Sequence, residues 1–510
     1  MMQIQEVTVQ KVNKILKDSF VDFYKDEKTN LFTFKIRYLN QNNISKDVDI
    51  NELIELRYKI YMSSTGTNIP TEGNKGSKEV LTNKFVSLID NMSQLNKTLN
   101  SLIKSGYPYI SKFSLKIVNG EAFSEKEENK NLEKIIEEYR AEEKKFKKII
   151  KRGYETKPLL RLFFAYQFIQ LHEQIIKSQN KDNEENIKPS KNFMSLINYM
   201  TLNQISDFDI DFKINKNLDC IANINNYLEQ LLKANSVNIE QIYNTNKILN
   251  DIGLAPGLFR KIKDTNTDLN VDIINLYTNL TGNLPIVNTY LLCNEETTIE
   301  EIKAFLYRAI YNDKPILFVI SNLEYLNLSI TQNVIRTLRK LYKAKNRNIK
   351  SYLVFIYEKT DSCLSRDLEK LIPDKNILSK NYMNESNKRN EKLDEIVVYS
   401  SLYSGYGKTT EIIYKVKDKS GDYAYLPIGG TFTRDYVIKN LKNLNLETQD
   451  CKYIYLHLDL SDTEQDELMN EILFKLIILR YLDSTDEIFY LGHDIKIIIE
   501  IYIFSKFLKL

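Results

Sequence analysis

Tryptophan is absent from the chain, and only four cysteines and three histidines stand among its 510 residues. Cys220, Cys293, Cys363 and Cys451 form no C-x-x-C pair, and His172, His457 and His493 are equally dispersed, which excludes zinc-finger spacing. Isolated cysteines in a chain of this length point to a reducing compartment. A membrane-crossing run is also missing. The longest apolar stretch before the C-terminus, 159–171, is interrupted by Arg161, Gln167 and Gln170 and is too short to span a bilayer. The N-terminal residues Met1-Met-Gln-Ile-Gln-Glu-Val lack the basic and apolar regions of a signal peptide. Charge of one sign is lacking too: 71 basic against 68 acidic residues leave +3, so no global field favours nucleic acid or an anionic membrane. No basic stripe with interleaved aromatics appears either. A cytoplasmic protein is expected, without a transmembrane segment and without a nucleic-acid partner.

What is present is 43% hydrophobic residues, enough for ordinary cores, in a chain with room for about three domains. Residues 1–77 read as a small mixed α/β segment, with a period-two strand over 31–39, a helix over 50–62 and a loop over 66–77. Residues 78–283 read as mainly helical. There, Val80, Leu81, Phe85, Leu88, Ile89 and Met92 recur at helical spacing, and 125–152 is a charged helix. The polar run 178–191 reads as a linker or exposed loop. Residues 284–394 form a β-α-β-α-β pattern with strands at 286–292, 315–320 and 351–357, which predicts a parallel sheet covered by helices. Thr298 opens the first of its helices, with Glu300 and Glu301 in the first turn. This unit has no phosphate loop, and Ser321 and Asn322 stand where an ATPase would place acids. The fold class expected is therefore α/β plus α-helical: a helical N-terminal region, then two P-loop-type parallel-sheet units, with the second truncated.

That second unit, 395–510, carries the chemistry. Ile396 to Tyr399, apolar and β-branched, reads as a buried strand; a small-residue turn follows, and a helical pattern opens at Lys408. Strand, loop and helix in this order are the context a phosphate-binding loop requires. Gly405, Tyr406 and Gly407 would curl their backbone N–H groups toward phosphate oxygens. Lys408 would reach the β- and γ-phosphates, and Thr409 and Thr410 would open the helix with its positive dipole end facing them. The Thr409 hydroxyl is placed to hold Mg²⁺. The full pattern G-x-x-x-x-G-K-[ST] lacks its first glycine, since that position holds Leu402. The plain alternative is a glycine-rich turn whose lysine is merely solvated.

Phosphate-loop ATPases also need an acid at the end of a neighbouring strand. Asp459 follows Ile454, Tyr455, Leu456 and Leu458 and would hold Mg²⁺ through water; otherwise it is a strand-end cap. The glutamate that orients the attacking water in such enzymes is replaced by Leu460, which cannot accept a proton. Asp462 and Glu464 lie beyond the strand, and His457 reads as a packed core histidine. The expected site binds ATP with Mg²⁺ and hydrolyses it poorly, which would make ATP a stabilising ligand. A last isoleucine-rich strand is expected over 495–504.

Taken in order, Leu291-Leu-Cys-Asn-Glu-Glu-Thr-Thr-Ile-Glu-Glu301, Gly405-Tyr-Gly-Lys-Thr409, His457-Leu-Asp459 and the run 474–482 resemble the mysterin family. Its members are giant proteins with AAA+ modules in a dynein-like ring and a ubiquitin-ligase part. The resemblance spans roughly 284–500. It implies a degenerate first AAA+ module over 284–394 and the opening of a nucleotide-holding second module from 395. Its partners would be the remaining AAA+ modules and the ligase part. The cysteine and histidine clusters of the ligase fingers are not in this sequence, nor is a helical lid. The chain is thus expected to be a fragment or split product without ligase activity of its own. Two other readings stand beside this one: an active P-loop ATPase whose base is Asp462, Glu464 or a neighbour's residue, and a nucleotide-free interaction protein.

Overall fold

The computed structural model describes residues 2–26, 31–39, 44–65, 75–124, 130–179, 190–202, 205, 207–208, 210, 212–238, 242–243, 254–263, 268–345, 348–358, 363–378, 396–401, 407–419, 421–444, 446, 453–484, 488–492 and 495–502. Most of the 66–77 loop, most of the 178–191 linker, Gly405, Tyr406 and the end of the 495–504 strand lie outside these residues. The chain divides into two compact units, Met1–Arg152 with Ala165–Ile169, and Gly153–Phe164 with Gln170–Leu510.

In the first unit the elements run α1 (Met2–Lys17), β1 (Asp18–Lys25), β2 (Phe32–Leu39), β3 (Ser45–Asp49), α2 (Ile50–Thr65), α3 (Lys75–Lys104), β4 (Phe113–Val118), β5 (Glu121–Ser124) and α4 (Leu132–Thr156). The strands form one antiparallel sheet of order β3-β2-β1-β4-β5. Alternation puts Val21, Phe23, Phe34, Ile36, Leu115 and Ile117 on one face. There they share a core with Val12 and Ile15 of α1 and Phe85, Met92 and Leu99 of α3. Two strands of this sheet, β4 and β5, fall in the stretch that periodicity marks as helical. Their hairpin has a legible signal: Asn119 and Gly120 both take positive φ, 53° and 87°, as a tight two-residue turn demands.

Helix α5 (Ala165–Gln179) is divided between the units, its residues Ala165–Ile169 counting with the first, and the second unit continues with α6 (Lys191–Thr201) and α7 (Cys220–Ala234). A first α/β layer follows: β6 (Gly257–Ile262), α8 (Leu269–Thr281), β7 (Tyr290–Leu292), α9 (Ile299–Ile310), β8 (Leu317–Ser321), α10 (Leu328–Ala344), β9 (Tyr352–Tyr357) and α11 (Cys363–Leu371). Its sheet is parallel throughout, in the order β6-β9-β8-β7. Every residue of β8 and β9 is buried, as expected of parallel strands covered on both faces. Thr298 and Glu301 close a reciprocal capping box at the start of α9. The sheet reaches back beyond residue 284, because β6 supplies its outer strand. Two charged residues hide β6 in the sequence. Arg260 and Lys261 are both buried, and they are neutralised by Glu369 and Asp374 and by Asp272 respectively.

The remaining elements are β10 (Val397–Ser401), α12 (Lys408–Asp418), β11 (Asp422–Ile428), α13 (Arg434–Asn443), β12 (Ile454–Leu460), α14 (Asp466–Phe474), the hairpin β13 (Tyr481–Asp483) and β14 (Ile488–Tyr490), and β15 (Ile495–Tyr502). Helix α14 continues through a π-helical turn, Lys475–Leu479, that ends at Arg480 in the left-handed region. Strands β10, β15, β12 and β11 lie side by side in that order, all parallel; β10, expected to be buried, stands at the end of that order with Val397 and Val398 exposed. Within this unit the two sheet layers meet through Tyr290 and Phe474, an edge-to-face pair at 5.8 Å. Beside them runs an ion network. Arg434 contacts Glu296 at 3.1 Å and Glu471 at 2.8 Å, and the fully buried Lys475 reaches Glu471 at 2.9 Å and Asp483 at 2.5 Å. Among the described residues no helix is long and apolar enough to cross a membrane.

Candidate functional site

The site is built where β10 hands over to α12. Gly407 caps the helix with φ +73°, and a Cβ there would meet nothing within 4 Å. What asks for glycine is therefore the left-handed backbone rather than space. Among the described residues no side-chain hydrogen bond caps the start of α12. Lys408 is nonetheless buried, at 8% exposure, and its Nζ lies 3.2 Å from the Ile501 carbonyl and 3.7 Å from Glu500 Oε1. Thr409 Oγ1 donates to Glu500 Oε2 at 2.9 Å, while Thr410 is exposed.

Sheet register explains which acid arrives there. Tyr399 of β10 pairs with Glu500 of β15, Glu500 with Asp459 of β12, and Asp459 with Pro427 of β11. Register partners in a parallel sheet share a face, so Asp459 and Glu500 stand side by side beneath α12. Two residues earlier the same face carries Tyr425, His457 and Ile498. Helix α12 packs Ile412 and Val416 over this face, against Tyr455 and Ile498.

Asp459 does not meet Thr409. Its Oδ2 accepts a 2.5 Å hydrogen bond from the Tyr425 hydroxyl, on the side away from β10. His457 is fully buried, but among polar groups: its Nδ1 lies 2.7 Å from the Tyr423 hydroxyl, and its Nε2 is 3.2 Å from Glu500 Oε2 without the alignment of a hydrogen bond. Burial pushes the imidazole below its usual range, against the opposing pull of Glu500 and Asp459. Burial, helped by Glu500 and then Asp459, pushes the Tyr423 hydroxyl up to about 12.

Around this centre the other expected residues fall as follows. Leu460 is buried in the position a water-orienting glutamate would take, and Asp462 and Glu464 are exposed beyond the strand. In the first α/β layer Ser321 is buried and bonded to the Tyr290 hydroxyl at 2.6 Å, and Asn322 takes a left-handed backbone. The Ser321 hydroxyl is thus occupied structurally, whereas Asn322 Oδ1 is buried with no hydrogen-bond partner among the described residues. Sequence reasoning missed Glu500. Its signal is a lone acid in the run Ile497-Ile-Ile-Glu-Ile501, which no apolar strand needs.

No curated protein matches the chain. Residues 264–371, which hold most of the first α/β layer and end before β10, match the family model for the RNF213 AAA domain; they are similar to an AAA+ region of a mysterin-like protein.

Proposed function

We propose that this chain is an ATP-binding AAA+ segment of a mysterin-like ubiquitin ligase that holds its nucleotide without hydrolysing it, as a scaffold of the motor ring. The observation that carries this reading is the pairing of Lys408 and Thr409 in the first turn of α12 with an acid of the adjacent strand. It sits beside a parallel sheet, on the helix that is the next described element after β10. The phosphates of ATP would lie against Gly405, Tyr406, Gly407, Lys408, Thr409 and Thr410. Mg²⁺ would be held by Thr409 and by the acids at the neighbouring strand ends, Asp459 among them through water. Mg²⁺ fits such a place, because it is commonly held by one or two carboxylates together with substrate phosphates. When bound, it would neutralise phosphate charge.

The absence of turnover rests on Leu460, an apolar side chain where a proton acceptor would stand. Segments 1–77 and 78–283 would be the mixed and helical N-terminal parts, and 284–394 the degenerate module, with other AAA+ modules and the ligase part as partners in the cytoplasm.

The test is ATP binding and turnover by the purified chain beside Lys408→Ala. Binding lost in the variant, with negligible hydrolysis by either protein, is the expected result. Sustained hydrolysis would overturn the scaffold reading in favour of a working ATPase. Equal binding by both proteins would remove Lys408 from the site.

A further inference from the structure

We infer that Glu500, and not Asp459 alone, is the acid through which this site meets a nucleotide-bound divalent cation, and that the same carboxylate holds Lys408 and Thr409 until nucleotide arrives. The inference rests on the nucleotide reading above.

Three observations carry it. First, β15 lies between β10 and β12, so Glu500 is one strand closer to β10 than its register partner Asp459, a difference of about 4.8 Å. Second, the two acids face different partners. Asp459 accepts from Tyr425, whereas Glu500 accepts from the hydroxyl of Thr409 and lies 3.7 Å from Nζ of Lys408. Third, Glu500 is 9% exposed in a strand of isoleucines. A carboxylate taken this far out of water is tolerated only with compensating partners. Here they come from Lys408 and Thr409, the two side chains that a phosphate loop contributes to nucleotide and cation, with His457 Nε2 also 3.2 Å from the carboxylate.

An exchange follows from that geometry. For Lys408 to turn toward a phosphate it must leave Glu500 and the Ile501 carbonyl, and Glu500 then lacks its positive partner. A divalent cation entering with the phosphates replaces that charge, with Thr409 beside it. Among the described residues no cluster of three or more His, Cys, Asp or Glu is arranged to hold a metal ion. The cation inferred here therefore arrives with nucleotide. Glu500 should impose a cation requirement on nucleotide binding: without the cation, releasing Lys408 exposes an uncompensated buried charge.

The experiment measures binding of a fluorescent N-methylanthraniloyl ATP by anisotropy, once in Mg²⁺ and once in EDTA, for the full chain, Glu500→Gln and Asp459→Asn. Mn²⁺ occupancy in the presence of ADP is followed by electron paramagnetic resonance. In the unaltered chain Mg²⁺ is expected to tighten binding. In Glu500→Gln that enhancement should largely vanish, with binding in EDTA no weaker than in the unaltered chain and Mn²⁺ affinity lower by about 10–100-fold. Asp459→Asn should keep most of the enhancement. Should Glu500→Gln not fold, Glu500→Asp keeps the charge and draws it back, and a smaller drop in Mn²⁺ affinity is expected. An enhancement and Mn²⁺ occupancy unchanged in the Glu500 variant, or lost in Asp459→Asn alone, would overturn the inference and leave the nucleotide reading standing. No binding by the unaltered chain in either condition would overturn both.

Discussion

Thr409 and Glu500 are separated by 91 positions in the chain, yet the threonine hydroxyl donates a 2.9 Å hydrogen bond to the glutamate. The two meet because β15, the last strand described, is inserted beside β10 rather than added at the sheet edge. The contact ties the first turn of α12 to the sheet and brings a buried lysine with it. Ligand binding there should be felt by the fold as a whole.

A nucleotide that binds only the folded chain stabilises it by mass action, about 2.7 kcal/mol when its concentration is 100 times Kd. Thermal unfolding with Mg²⁺–ATP should therefore shift upward, and the shift should be absent in Lys408→Ala. Equal shifts for both proteins would place the ligand elsewhere.

Gly407→Ala tests the backbone at the start of α12. At φ +73°, with nothing among the described residues within 4 Å of the added methyl, the strain should cost about 1–2 kcal/mol. The variant is expected to fold, to unfold at lower urea, and to bind nucleotide more weakly. Unchanged urea unfolding would show that the left-handed conformation is not required.

Lys475 is fully buried between Glu471 and Asp483, whereas Lys35 and Asp47 form a largely exposed pair. Lys475→Met leaves Asp483 without its cation and Glu471 with Arg434 alone, and should cost about 3–5 kcal/mol. Lys35→Met should cost less than about 1 kcal/mol. Urea denaturation of the two variants separates these values, and equal costs would contradict the burial argument.

Acid should weaken the same network. Burial alone would push the Glu471 carboxyl up, but Lys475 and Arg434 outweigh it and hold it at about 2, against 4.5 for an ordinary glutamate. A carboxyl depressed on folding stabilises fully above its unfolded value and loses that stability as pH falls toward the folded one. The window is thus about pH 4.5 down to 2, and the contribution at stake is about 3 kcal/mol. Glu471→Gln should be less stable at pH 7 and show a shallower decline between these values. An identical acid limb in both proteins would remove Glu471 as a cause.

Much of this protein is written locally. The apolar run into β10, the break at Gly407 and the helical spacing after Lys408 mark strand, turn and helix without reference to anything distant, because each depends on backbone preference and period over a few residues. The capping box of Thr298 and Glu301 is legible for the same reason, as is the burial of β8 and β9. The turn of Asn119 and Gly120 was equally available as a hairpin signal, although helical periodicity around it dominates the reading. Strand β6 is harder, since Arg260 and Lys261 look solvent-seeking until Glu369, Asp374 and Asp272 supply their countercharges from later in the chain.

Which acid faces the loop is a different kind of fact. Asp459 and Glu500 both sit near the ends of apolar strands, and nothing within either segment ranks them. Strand order decides it, and parallel order comes from crossover connections and long-range pairing that no local period records. By itself the sequence determined a strand, a Gly-Lys-Thr turn and a helix, and an apolar residue, Leu460, after Asp459. The tertiary structure alone placed Glu500 against Lys408 and Thr409 and turned Asp459 toward Tyr425, because hydrogen bonding between β10 and β15 leaves a single strand spacing between β10 and that one carboxylate.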